Sequence, residues 1–130
     1  MIVTGAQLEA PEGWQVSGVS SDSDSEVVSA TSDDGQLVSL RSVRTDSTVD
    51  EQITQARESD SEQTVDAPEL EADGGSLRGV ETVLTASGGE LVQLRYFART
   101  GDSLITIDVV TTADQKDTIL EHLRSGLTWG

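Results

Sequence analysis

The sequence predicts an α+β fold: a mostly antiparallel sheet of about six to seven strands with two main helices. Three observations lead there. Two stretches, Glu26 to Arg44 and Leu77 to Thr111, alternate apolar and polar residues around Gly-containing turns. Each is followed by a segment with helix-start signals and an apolar stripe. The last third, Val92 to Val110 followed by a helix and Leu127-Thr128-Trp129, holds most of the strongest core-forming residues.

Size and charge set the outer bounds. A chain of 130 residues and 13.8 kDa reads as one domain, residues 1–130, able to bury about two thirds of its unfolded surface. With no Cys, disulfides, thiolate metal sites and Cys nucleophiles are excluded. Against 24 acidic residues stand 8 basic ones, a formal net charge of -16. A field of that sign repels phosphate backbones and anionic membrane faces, which argues against nucleic-acid binding. No run approaches the ~20 apolar residues of a membrane helix, and Met1 to Gly5 has no signal-peptide character, so the chain as given reads as soluble. An abrupt start in Ile2-Val3-Thr4 also suits a domain excised from a larger, membrane-anchored protein.

In chain order, Ala10-Pro11-Glu12-Gly13 is a turn that delivers Trp14, and Trp14 and Val16 are expected on the inward face of a first strand ending near Val19. Ser20 to Ser25 reads as a polar loop. The spacing of Asp22, Asp24 and Glu26 invites a calcium reading, but an EF-hand needs Gly and a bidentate acid where Val27 and Asp33 stand. Glu26 to Thr31 and Gln36 to Arg44 form a hairpin about Ser32-Asp33-Asp34-Gly35, with Val38, Leu40 and Ser42 on one face and Leu37, Ser39, Arg41 and Val43 on the other. Thr48-Val49-Asp50-Glu51 has the capping-box form, and Val49, Ile53 and Ala56 make one apolar stripe.

Glu58 to Gly75 is an acidic excursion with one short edge strand expected near Thr64 to Asp66. Leu77 to Ala86, Glu90 to Arg99 and Leu104 to Thr111 follow as a meander turning at Ser87-Gly88-Gly89 and Thr100-Gly101-Asp102. Val92, Leu94, Tyr96 and Ala98 share one face, and Gln93, Arg95 and Phe97 the other. Asp108 is expected on an exposed face beside Thr106. Thr112 to Gln115 has the form of a second capping box, opening a helix with the stripe Ile119, Leu120, Leu123 that Gly126 stops with a left-handed cap. Leu127 and Trp129 close the chain as an apolar clasp.

No catalytic constellation appears. The single His, His122, falls on a helix end with no Ser or Asp partner in sequence and reads as a solvated residue. Neither a metal site nor a cofactor site is indicated, since the acids are scattered and Cys is absent. The remaining site candidates are Arg41, Arg95 and Arg99, cations on or beside strands in an anionic protein. Their guanidinium forks suit carboxylates and phosphates, unless each simply pairs with a neighbouring acid. Trp14 and Trp129 are candidates for ligand stacking, with core sealing as the plainer role.

Three stretches carry a family resemblance: Ala10-Pro11-Glu12-Gly13-Trp14, the helix start Thr48-Val49-Asp50-Glu51 after a Val-Arg strand end, and Leu123-Arg124-Ser125-Gly126-Leu127-Thr128-Trp129. With them the chain resembles the Mog1/PsbP-like α/β/α sandwich of LpqN-type lipoproteins. The opening Ile2 to Trp14 is similar to the start of the extracytoplasmic C-terminal domain of actinobacterial type VII secretion-associated proteins. That resemblance implies a noncatalytic cell-envelope module outside the cytoplasm, joined to the membrane only through a segment absent here, with a protein partner in the secretion apparatus or envelope and no catalytic residues or cofactor. Paired cysteines found in some members are missing. A second expectation is a small-molecule or lipid-binding lipoprotein-like domain, its ligand between sheet and helix near Trp14, Tyr96 and Trp129. A hydrolase would require clustered acids in a cleft.

Overall fold

The computed structural model describes residues 1–21, 24–59, 64–72, 74–86 and 89–129, with backbone alone for 18–21, 59 and 86. Asp22 of the acidic loop, Ser87-Gly88 of the expected tight turn, and residues 60–63 and 73 of the acidic excursion lie outside the described residues.

The strands are β1 (Ile2–Val3), β2 (Ala6–Leu8), β3 (Gln15–Ser21), β4 (Ser25–Thr31), β5 (Leu37–Arg44), β6 (Thr64–Asp66), β7 (Leu70–Ala72), β8 (Gly75–Ala86), β9 (Gly89–Thr100), β10 (Ser103–Thr112) and β11 (Leu127–Trp129). Helix α1 (Val49–Ser59) follows β5 and α2 (Lys116–Gly126) follows β10. The main sheet is 8-stranded, in the order β3-β4-β5-β10-β9-β8-β6 with β7 also on β8, and a 3-stranded sheet has the order β1-β2-β11. Every pairing is antiparallel.

Period-two alternation fixes both faces of the main sheet. Val38 and Leu40 of β5, Ile105, Ile107 and Val109 of β10, and Leu94 and Tyr96 of β9 are buried on the inner face. There they meet Ile119, Leu120 and Leu123 of α2, with Leu8 and Leu127 of the small sheet. On the outer face Val80, Phe97 and Leu104 pack against Val49, Ile53 and Ala56 of α1. The sheet thus lies between the two helices.

Helix α1 starts as its sequence specifies: the Thr48 hydroxyl accepts the Glu51 N–H at 3.1 Å, with Asp50 and Glu51 in the first turn. The second helix differs from expectation. Thr112 is still held in register opposite Leu91, so β10 runs through it. A turn follows, with Gln115 N–H donating to the Thr112 carbonyl at 3.1 Å, and α2 begins at Lys116 without a side-chain cap. Nor does Gly126 form a left-handed cap. The chain passes directly into extended Leu127, whose N–H bonds the Leu123 carbonyl. Gly126 instead sits close to its neighbours, since an added Cβ would lie 3.4 Å from His122 Nε2 and 3.5 Å from Glu9 Cβ.

Four further elements are ones the sequence does not announce. β1, β2, β7 and β11 span only two or three residues, too few for periodicity to register. They place Leu8, Leu70, Ala72 and Leu127 in the core. Where a polar loop is expected, β3 continues to Ser21 and β4 begins at Ser25. Val16 does stand opposite Ala30 on the inner side, but β3 is an edge strand and Val16 remains 51% exposed.

Candidate functional site

Helix α1 packs on β8, β9 and β6. It covers one part of the outer face, and β5 and β10 extend beyond it. Register then sets what stands in the open part: Arg41 opposite Thr106, and Asp108 between Ser39 and Arg95. These side chains, with Gln52, Gln55 and Ala56 of α1 and Phe97, line a groove of about 230 Å³. Two of the three candidate arginines, Arg41 and Arg95, therefore meet in one place, flanking β10 from opposite sides.

Arg95 and Asp108 form the groove's internal pair. Arg95 Nε donates to Asp108 Oδ1 at 2.7 Å, with the side chains 39% and 23% exposed. The expectation that Asp108 lies freely exposed is corrected: opposite an arginine in the ladder, its carboxylate is half-buried and bound. Thr106 is buried as well. Cross-strand opposition on one face brings side chains into reach, so a pair-wise register accounts for the contact.

Arg99 does not join them. Its guanidinium donates to the backbone carbonyls of Thr45 at 2.8 Å, Ser47 at 2.5 Å and Gly101 at 3.3 Å. It ties the segment leading into α1 to the β9–β10 turn, a structural role.

The tryptophans are also apart from the groove. Trp129 Nε1 donates to the Ala72 carbonyl at 2.8 Å, and its indole lies where a Cβ on Gly75 would stand. Trp14 is half-buried against the inner core. Tyr96, fully buried, donates its hydroxyl to the Pro68 carbonyl at 2.8 Å. The polar ends of Trp129 and Tyr96 are thus engaged by backbone, and both rings serve packing.

Four of the other cations are paired with acids. Arg57 pairs with Asp66, Arg78 with Asp50, Arg124 with Glu121, and Lys116 with Glu81. His122 is not free in solvent: it is half-buried, and Nε2 donates to the Glu9 carbonyl at 2.6 Å. Glu26, one of the acids of the calcium-like spacing, accepts the Thr4 N–H at 2.9 Å, and this bonding lowers its pKa. Among the described residues no group of three or more His, Cys, Asp or Glu is placed to hold a metal ion. None of the described helices is long and apolar enough to cross a membrane.

Sequence reasoning missed Gln52 and Gln55. Their only signal is position: both lie off the Val49, Ile53, Ala56 stripe, on flanks that the sequence assigns to solvent.

No protein-family model matches the sequence, and no curated protein matches it. Among solved structures, the chain is similar to cyanobacterial PsbP (CyanoP) from Synechocystis sp. PCC 6803, with a TM-score of 0.61 and 15% identity, covering 97% of this chain and 87% of that one. It is also similar to LpqN of Mycobacterium tuberculosis, described as involved in cell envelope biogenesis, with a TM-score of 0.49 and 11% identity over 95% of this chain and 82% of that one. The likeness to CyanoP is one of fold: the chain is a Mog1/PsbP-like α/β/α sandwich, as its short motifs lead one to expect, with more strands than the six or seven anticipated.

Proposed function

We propose that this chain is a noncatalytic extracytoplasmic interaction module of the cell envelope, associated with type VII secretion, which holds a protein partner on the outer face of its main sheet. The observation that carries the reading is the incomplete cover of that face: α1 packs on β8, β9 and β6, and the groove with Arg41 and the Arg95–Asp108 pair stays open beside it. The groove's polar groups are guanidiniums, amides, a hydroxyl and one carboxylate already bound to Arg95. That set suits recognition by hydrogen bonds and charge. The resemblance of Ile2 to Trp14 to the start of type VII secretion-associated domains supports the envelope assignment.

The reading is tested by affinity capture from envelope extract, comparing the intact chain with an Arg41→Ala, Arg95→Ala variant. The intact chain should retain a defined set of proteins, and the variant should lose it by roughly tenfold or more. Retention of the same proteins by both, or of none by the intact chain, contradicts the proposal.

A further inference from the structure

Where the cations go decides the chemistry of the groove. With 24 acids to 8 bases, a guanidinium on a sheet face has ready partners, and Arg57, Arg78, Arg95, Arg124 and Lys116 all take one. Arg41 and Arg44 are exposed, and neither guanidinium makes a hydrogen bond or ion pair among the described residues; of the two, Arg41 lines the groove. Arg95 spends Nε on Asp108, which leaves its terminal nitrogens without a partner among the described residues. Among the described residues Asp108 is the only acid lining the groove, beside Gln52, Gln55, Thr106, Ala56 and Phe97. Two guanidiniums against one carboxylate leave a local charge of about +1 in a chain of -16. A monoanion restores neutrality, whereas a phosphate dianion would overshoot it beside Asp108.

Beyond the charged pair the same face turns apolar. Along β10, Val110 follows Asp108 on the outer side, opposite Leu37 and Gln93, and Leu91 and Leu84 stand opposite each other one step further. Leu91 is 37% and Leu84 42% exposed, large side chains left outside the cover of α1. At ~3.4 Å per residue along β10, Val110 lies about 7 Å from Asp108 and Thr112, which Leu91 faces, about 14 Å. This is the spacing of alternate side chains along an extended peptide.

Resting on the reading of this face as a partner-binding surface, we propose that its occupant is an extended segment of a partner protein. One Asp or Glu carboxylate of that segment sits between Arg41 and Arg95, and apolar side chains two and four residues away cover Val110, Leu91 and Leu84. Charge complementarity selects the carboxylate, and the leucines supply the apolar area that a free small acid cannot use.

The test is an NMR titration of the full chain with an end-blocked peptide, acetyl-Ser-Glu-Ser-Leu-Ser-Val-Ser-amide. A matched peptide with Gln for Glu, sodium acetate and sodium phosphate serve as the other probes. Saturable shifts are expected at the Arg41 and Arg95 Nε–H signals and the amides of β5 and β10. Arg41→Gln and the Gln peptide should each weaken binding by roughly tenfold, with little further loss when combined. Arg41 is exposed, so an unchanged spectrum away from this face verifies the variant's fold. Equal binding of the Glu and Gln peptides, phosphate matching acetate, or acetate binding as well as the peptide overturns the proposal. In each case capture of envelope proteins that depends on Arg41 and Arg95 can still succeed, so the module's function and the identity of its ligand fail separately.

Discussion

Replacing Gly79 by Ala is expected to destabilise the fold by ~3 kcal/mol or more and to lower Tm by roughly 10 °C. Gly79 stands opposite Tyr96 where β8 meets β9. A Cβ there would overlap the Arg95 carbonyl oxygen and lie 2.9 Å from Tyr96 Cα. These are backbone atoms of a central strand, which cannot swing aside as the end of a side chain can. Gly79 also accepts the Ala67 N–H at 2.9 Å, so the added methyl would disturb the join that brings the Pro68 carbonyl to Tyr96. At Gly35 the same change meets nothing within 4 Å and is opposed only by a φ of 91°, for a cost of about 1 kcal/mol. Thermal and urea unfolding followed by circular dichroism measure both. Equal, small effects at the two positions would contradict the close approach of β8 and β9.

The second large effect is alkaline. Burial pushes the Tyr96 hydroxyl up from the ordinary 10.0 to about 12, with the Glu81 carboxylate adding to the shift and Arg124 opposing it. Below pH 10 the phenol is neutral in both folded and unfolded chains, and its contribution to stability is fully present. As pH rises from 10 to 12 the unfolded chain ionises first, so about 2–3 kcal/mol of stability is lost across that window. Tyr96 is the single tyrosine, so phenolate absorbance reports it alone. The absorbance should rise near pH 12, or together with unfolding, and near pH 10 in concentrated urea. Glu81→Gln should move the folded midpoint down. A native circular-dichroism signal with a phenolate midpoint near 10 would show that the ring is not sealed.

How far the sequence carries depends on how many residues speak at once. β5, β9 and β10 are long enough for Val38-Leu40, Leu94-Tyr96 and Ile105-Ile107 to define two faces unaided, and Thr48 with Glu51 marks the start of α1. β7 and β11 bury Leu70 and Leu127 in three-residue strands, where no period exists to be read. The second capping box failed because Thr112 serves the ladder opposite Leu91, and tertiary pairing outweighed a local motif. Arg41 and Arg95 were legible as cations on strands. Their meeting across β10 was not, since it depends on the register that sets Arg41 against Thr106 and Arg95 against Asp108. Register also gave Asp108 its partner. The difference between Arg95, bound to an acid, and Arg99, bound to three carbonyls, follows from the β9–β10 turn and the entry to α1, which no spacing encodes.

Docking of a partner on the outer face beside α1 can be caught by site-specific photocrosslinking in envelope extract. A photoreactive benzoylphenylalanine would replace Ser39, which stands opposite Asp108 on that face, or, in a second protein, Glu121 on the exposed side of α2. A discrete protein adduct is expected from position 39, lost with Arg41→Ala, and none from position 121. An adduct from position 121 with none from position 39 would contradict it, placing the contact on the opposite side of the sheet.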